Sequence, residues 1–318
     1  MFYIILLPLF FAVMLFYFRI ADHYNIIDHP NERSSHSVVT IRGGGILFVF
    51  AAIVALSLNF QFFFLPAIGI IIIGSISFLD DIYNLPNSIR VVFQIAAVTC
   101  MLSYLEVFTP LSAVFIILLY ILSIGILNAY NFMDGINGIT GLYSLAILSG
   151  LQYVNSYTHF INADMIWLPM LACAVFLFFN FRTKAACFAG DVGSMSIAFW
   201  ITILLFSLIN VTHNWAYILF LSVYGVDTIF TIIYRLILKQ NIFKAHRLHL
   251  YQLLANECKI SHLKVSLMYA LLQFAIIIFV IKVNQFPPIA LFLMVIIPLV
   301  LIYIIVRRRC VMVKQNKL

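Results

Sequence analysis

Eleven apolar runs, near residues 1–18, 45–58, 65–79, 91–104, 110–128, 139–154, 165–181, 195–211, 216–234, 265–283 and 288–306, leave only short polar segments between them. Of the 318 residues, 64% are apolar and 9% charged. A soluble domain is about 45–50% apolar and about 25% charged, so this chain lacks the polar surface to face water on all sides. The runs therefore read as an all-α polytopic integral membrane protein with about eleven transmembrane helices. At about 20 residues each, the spans take up roughly 220 residues, which excludes a sizeable soluble domain and places any chemistry in short loops. Residues 1–318 read as a single transmembrane domain. The first run has no basic segment before it and reads as a retained span rather than a cleaved signal peptide.

The basic residues orient the chain. With the N-terminus outside and the C-terminus cytoplasmic, seventeen of the eighteen Lys and Arg fall in inside loops or adjoining helix ends, leaving Lys282 alone outside. The basic tail beginning Arg307-Arg308-Arg309 reads as an anchor against anionic lipid. Eight of the eleven acidic residues lie on the same inner side and Asp227 lies within a run, so only Glu106 and Asp164 fall outside. Carboxylates near lipid are costly without a partner, and a cation is the natural one. The five cysteines are widely spaced with no C-x-x-C pair, which predicts neither disulfides nor a zinc cluster.

Five polar clusters sit on that inner side. Asp80-Asp81 ends the third run; two adjacent carboxylates repel, which a divalent cation relieves, although capping of the next turn explains them equally well. Residues 128–141, NAYNFMDGINGITG, carry Asn128, Asn131, Asp134 and Asn137 at three-residue spacing with glycines between them. That pattern supplies oxygen ligands and hydrogen-bonding amides beside a backbone that permits close approach. Asp191 lies between two glycines in FAGDVGS, where a helix N-terminus suits a phosphate and the carboxylate suits its Mg²⁺; a simple N-cap is the alternative. Arg42 precedes a glycine triplet in the first inside loop, after Arg33, Ser34, Ser35 and His36. His246, Arg247 and His249 lie in the longest inside loop and suit pyrophosphate recognition better than metal binding, since no third soft ligand is near. Asp227 falls about 12 Å inside the ninth run and requires a polar cavity or a partner such as Arg235.

Taken in order, R-S-S-H-x5-R-G-G-G, D-D-x3-L, N-x2-N-F-M-D-G-I-N-G-I, F-x-G-D-x-G-S and A-H-R-x-H-x-Y-Q resemble the polyprenyl-phosphate N-acetylhexosamine-1-phosphate transferases, glycosyltransferase family 4. Relatives in that family include the translocase that makes the first lipid intermediate of peptidoglycan. The resemblance covers about residues 28 to 252, and the histidine loop looks most like the branch that initiates O-antigen or capsular polysaccharide. Family members commonly read P-T-P-R-G-G-G in the first loop, where this chain has Val39-Thr40-Ile41-Arg42.

The resemblance implies a Mg²⁺-dependent enzyme, with Mn²⁺ as an alternative ion. It would move N-acetylhexosamine-1-phosphate from a UDP-sugar to undecaprenyl phosphate and release UMP. It further implies Asp191 and Asn131 as metal ligands, Asp80 and Asp81 as the catalytic pair, and Asn128, Asp134, Asn137, Arg42, His246, Arg247 and His249 as substrate contacts. The expected setting is the bacterial inner membrane, with the site on the cytoplasmic face, no nucleic-acid partner, and a homodimer left open. Two other classes compete. A transporter would bind near the midplane and often shows repeats, whereas only Asp227 is deep here and no repeat is visible. An intramembrane aspartyl protease needs two aspartates sharing a proton and has no use for the asparagine-rich turn.

Overall fold

The computed structural model describes residues 2–28, 39–58, 60–109, 111–241 and 246–315. Each of the eleven apolar runs falls on helix. The helices are α1 (Phe2–His23), α2 (Ile46–Ser57), α3 (Phe60–Tyr83), α4 (Asn87–Tyr104), α5 (Ala113–Met133), α6 (Ile139–Thr158), α7 (Asp164–Asn180), α8 (Gly190–Thr212), α9 (Ser222–Ile237), α10 (Leu250–Gln252), α11 (His262–Lys282) and α12 (Pro288–Gln315). A 3₁₀ stretch, Trp215–Leu221, leads into α9, and a π turn, Leu253–Glu257, follows α10.

Among the described residues, seven stretches are long and apolar enough to cross a membrane: most of α1, most of α3, α5, α8, the 3₁₀ stretch with α9, α11, and most of α12. The other four runs are weaker. Helices α2 and α7 are apolar but short. Twelve residues of α2 rise only about 18 Å, less than the roughly 30 Å of hydrocarbon in a bilayer. Arg90, Gln94 and Ser103 dilute α4, and Ser144, Gln152 and Asn155 dilute α6. All eleven runs are thus helical, while length and hydropathy alone support seven as spans.

Helix α8 is the centre of the bundle. Every residue from Val192 to Leu208 is buried, as expected of a helix apolar on all sides. Helices α2, α3, α5 and α6 pack on it, with α4 outside α3, α7 between α2 and α6, and α11 against α6. Helices α5 and α12 lie outermost. Phe115, Ile117, Leu118 and Ile121 on α5, and Leu293, Ile297 and Leu301 on α12, are exposed, as suits a lipid-facing surface.

The chain is not wholly α-helical. Strand β1 (Ile27–Asp28) pairs antiparallel with β2 (Thr40–Ile41), and Ile41 forms a parallel bridge to Cys187. The ladder includes Ile41, one of the two positions where the resemblance leads one to expect a proline. Backbone pairing holds the loop instead, with Arg42 N–H donating to the Ile26 carbonyl at 3.1 Å and Phe188 N–H to the Ile41 carbonyl at 2.8 Å. The glycine triplet follows directly. Gly44 N–H donates to Phe188 O at 2.8 Å and Gly45 N–H to Ala189 O at 3.0 Å, so the loop lies flat against the start of α8. A Cβ on Gly45 would stand 2.1 Å from the Gly193 Cα.

This contact is backbone on backbone and cannot be relieved by a rotamer change. Gly45→Ala is therefore expected to destabilise the protein by about 3 kcal/mol, seen as a lowered thermal midpoint in detergent micelles. An unchanged midpoint would mean that the loop does not seat on α8.

Candidate active site

Four of the five sequence clusters meet at one end of the bundle, where α3 and α5 finish and α4 and α8 begin. The core of the site is three carboxylates and two guanidiniums. Asp81, in the last turn of α3, has a fully buried side chain. It accepts the backbone N–H of Asp191 at 2.8 Å and of Val192 at 3.0 Å, and it pairs with Arg42 Nε at 2.6 Å. A carboxylate placed on the second and third N–H groups of α8 satisfies donors that have no partner within the helix and complements the helix dipole. Gly190 permits the approach: its φ is +72°, and a Cβ there would lie 2.6 Å from Asp81 Oδ2.

Asp191 is the most accessible of the three carboxylates, with 17% of its side chain exposed. Its carboxylate pairs with Arg42 Nη2 at 3.1 Å and Arg90 Nη2 at 3.4 Å, and it interacts with the side chains of Asp80 and Asn131. Asp80 accepts from Leu85 N–H at 2.6 Å, which closes the turn between α3 and α4, and pairs with Arg90 Nη1 at 3.0 Å. Asn131 Nδ2 also lies 3.4 Å from Ser194 Oγ. Arg90 was not among the candidates read from the sequence, where it served only to orient the chain. Its place on the first turn of α4, one turn beyond the D-D-x3-L motif, was the available signal.

The asparagine-rich segment has two roles. Asn131 and Asp134 border the carboxylate cluster, whereas Asn128 and Asn137 are committed to packing. Asn128 Nδ2 donates to Gln94 Oε1 on α4 at 3.1 Å and to Ile124 O at 2.8 Å. Asn137 Nδ2 donates to Arg182 O at 2.7 Å, and its carbonyl accepts Ser266 Oγ from α11 at 2.7 Å. These contacts hold the loop in place. Asp134 caps α5 and accepts the Thr140 hydroxyl. Burial pushes its pKa up to about 7; the Thr140 hydrogen bond and Arg42 oppose the rise and the charge of Asp191 adds to it.

The histidine loop rests on Asp227. Leu250 N–H donates to Asp227 Oδ1 at 2.8 Å, Tyr251 N–H to Oδ2 at 3.3 Å and Tyr269 Oη to Oδ2 at 2.7 Å, and His249 Nδ1 lies 3.4 Å from Oδ1. The partners expected of this deep carboxylate are thus the loop and α11. Arg235 instead reaches the Asn241 carbonyl at 2.5 Å. Tyr251 Oη donates to Phe132 O at 2.9 Å, joining this loop to the segment that carries Asn131 and Asp134. His249 is almost wholly buried, stacked near Phe132, and its Nε2 has no hydrogen-bond partner among the described residues. The His246 ring lies 4.9 Å from that of His249, and Arg247 is partly exposed beside them. Arg33, Ser34, Ser35 and His36 lie outside the described residues.

Among the described residues, no three His, Cys, Asp or Glu side chains gather as a metal-ligand group. Mg²⁺ does not require such a cage, because it keeps several waters and takes one or two carboxylates together with substrate phosphates. The neighbouring carboxyls of Asp80 and Asp191 with the Asn131 amide form an oxygen donor set of that kind. The fit is with a hard divalent cation.

Carboxylates, guanidiniums and an oxygen-rich edge thus lie together at one end of an apolar bundle. Residues 62–209, which contain Asp80, Asp81, Arg90, Asn131, Asp134 and Asp191, match the model of glycosyl transferase family 4. The chain is 26% identical over 261 residues to a probable undecaprenyl-phosphate N-acetylglucosaminyl 1-phosphate transferase of Bacillus subtilis, covering 73% of this chain and 70% of the relative. It is 28% identical over 213 residues to a decaprenyl-phosphate N-acetylglucosaminephosphotransferase of Mycobacterium tuberculosis, covering 56% and 52%. It is also 29% identical over 174 residues to a phospho-N-acetylmuramoyl-pentapeptide-transferase of Dictyoglomus thermophilum, covering 48% and 55%. Over residues 62–209 the chain is thus similar to glycosyl transferase family 4. It spans about half the length of the mycobacterial and Dictyoglomus relatives it matches.

The loop histidines also give a pH signature. Burial, with His249 and Arg235 nearby, pushes the His246 pKa down to about 4 from an ordinary 6.5. Between those values the unfolded chain binds more protons than the native one, so this contribution to stability is complete above pH 6.5 and is lost as pH falls towards 4. Asp134 acts in the opposite direction, favouring the native state less as pH rises from 3.8 to about 7. The difference in thermal midpoint between wild type and His246→Gln should therefore shrink on acidification from pH 6.5 to 4. A difference independent of pH would remove the assigned shift.

Proposed function

We propose that this protein transfers N-acetylhexosamine-1-phosphate from a UDP-sugar to undecaprenyl phosphate with release of UMP, initiating a cell-surface polysaccharide such as O-antigen or capsule. The observation that carries this reading is the cluster of Asp80, Asp81 and Asp191 with Arg42 and Arg90 at one end of an apolar bundle. The similarity to transferases named for undecaprenyl and decaprenyl phosphate supports it. An anionic lipid acceptor and an anionic soluble donor can meet only at a membrane interface, and the basic-residue asymmetry supports the cytoplasmic side of the inner membrane as that interface.

The transfer forms one P–O bond, from an acceptor phosphate oxygen to the sugar-bearing phosphorus, and breaks the P–O bond to the nucleotide, which leaves as UMP. One pyrophosphate linkage replaces another, so charge neutralisation and in-line positioning are the enzyme's main tasks. Arg42 and Arg90 supply positive charge on either side of Asp191. Asp81 has no exposed surface for substrate and acts by holding Arg42 and the start of α8. Asp80 lies beside Arg90 and orients the acceptor phosphate. That phosphate is already largely ionised near neutral pH, since its second pKa is about 6, so Asp80 need not be a strong base. Asp191 and Asn131, beside Asp80, would hold Mg²⁺, which when bound neutralises charge on the phosphate oxygens. The unpartnered His249 Nε2, with His246 and Arg247, provides the contact for the donor pyrophosphate or sugar.

The proximity of Asp80 and Asp191 is also what an aspartyl protease would use. Arg90 bridges these two carboxylates, however, and Arg42 pairs with Asp191 as well, an arrangement suited to phosphate rather than to a proton shared between acids.

The test is UMP release by purified protein with undecaprenyl phosphate, a panel of UDP-N-acetylhexosamines, and Mg²⁺ or EDTA. Release that requires lipid, sugar nucleotide and metal together is expected, with loss of at least about 100-fold in kcat for Asp191→Asn. Asp80→Asn is expected to lower kcat while leaving donor affinity near wild type. Full activity of Asp191→Asn would remove its metal role, and no release with any donor would overturn the reading.

A further inference from the structure

Helix α12 lies outside the matched region and contributes none of the sequence motifs, yet it reaches the histidine loop. Its buried face repeats every three or four residues as Leu291, Val295, Leu299, Tyr303, Arg307 and Cys310. One position on this stripe is a cation. Arg307 is only 8% exposed, although its neighbours Arg308 and Arg309 point outward as the lipid anchor expected of the tail. A buried guanidinium is retained only where its N–H groups are satisfied, so its partners indicate its task.

Those partners lead to the loop. Arg307 Nη1 donates to the Leu248 carbonyl at 2.8 Å and to Tyr303 Oη at 2.7 Å, and the guanidinium lies over the Tyr234 ring, 4.2 Å from its centroid. Tyr303 Oη is 3.1 Å from Thr231 Oγ1, which in turn donates to Asp227 Oδ1 at 3.2 Å. Asp227 closes the circuit through the N–H groups of Leu250 and Tyr251 and through His249. The loop is gripped on one side by a carboxylate of α9 and on the other by a cation of α12. Leu248, the residue gripped, lies between Arg247 and His249.

From this geometry, and resting on the proposed transferase reading, we infer that Arg307 is a positioning residue for the sugar-nucleotide donor, fixing Arg247 and His249 through the Leu248 carbonyl. Carboxylates Asp80 and Asp191 and the acceptor side of the site lie on α3 and α8, which Arg307 does not touch. Its loss should therefore separate donor from acceptor.

The experiment measures UDP-GlcNAc binding by calorimetry and UMP release with each substrate varied in turn, for wild type, Arg307→Met and Arg307→Lys. For Arg307→Met we expect donor Kd and KM to rise on the order of tenfold, with the acceptor KM within about twofold of wild type. Arg307→Lys, which keeps a charge and a donor for Leu248 O, should recover part of the donor affinity. Unchanged donor Kd and KM in Arg307→Met would overturn the inference. So would equal changes in donor and acceptor KM, the mark of a purely architectural role. If Arg307→Met does not fold, a folded Arg307→Lys with wild-type donor affinity would also overturn it, whereas a selective donor defect would support it. Wild type run in parallel separates the two readings: binding of UDP-GlcNAc without UMP release would count against the transferase reaction and leave the effect of Arg307 on affinity still measurable.

Discussion

The seating of Asp81 on the first turn of α8 is the interaction on which the rest of the site depends. A carboxylate removed from water is expensive, and removing a single partner from such a group typically costs about 3–5 kcal/mol. Here two helix N–H groups and Arg42 share the charge. That one group joins α3 to α8 and also draws in the loop before α2. Gly45 and Gly193 then come into backbone contact, and Asp191, next to the N–H groups that Asp81 accepts, keeps part of its side chain exposed. The position of Asp191 follows from Asp81, although only Asp191 is well placed to meet a ligand.

Asp227 uses the same device a second time. It too is a buried carboxylate that accepts two successive N–H groups at the start of a helix, in this case the single turn of α10. In both places the acid serves as an anchor, and the groups with chemical potential are its neighbours: Asp191 and Arg42 around Asp81, His249 and Arg247 around Asp227. The Tyr251 hydrogen bond to the Phe132 carbonyl ties the histidine loop to the asparagine-rich segment. A site assembled from loops thereby gains the rigidity of the helices beneath it.

Much of this was legible in the chain. Apolar runs locate the helices because a bilayer demands a continuous apolar stretch, and every run falls on helix. Asp80, Asp81, Asn131, Asp134 and Asp191 stand out because charge and amides are scarce elsewhere, and all of them come together. Arg90 and Arg307 were not legible as site residues, since basic residues at the inner ends of spans are expected for topology alone. Asn128 and Asn137 share the spacing of Asn131, yet their amides bond to Gln94 and to the Arg182 carbonyl. Spacing along a turn does not reveal which members face a neighbouring helix.

Sequence by itself determined the class of molecule, a helical bundle in an apolar solvent, and the identity of the polar residues it retains, because each retained charge must be compensated. Only the tertiary structure decided how those charges pair. Asp81 and Asp227 became internal anchors and Asp191 a partly exposed acid because pairing depends on which helix ends the packing around α8 and α9 brings together. Arg307 faces inward and Arg308 outward for the same reason: rotation by one residue about α12 moves a side chain by about 100°, from the packed face to the lipid side.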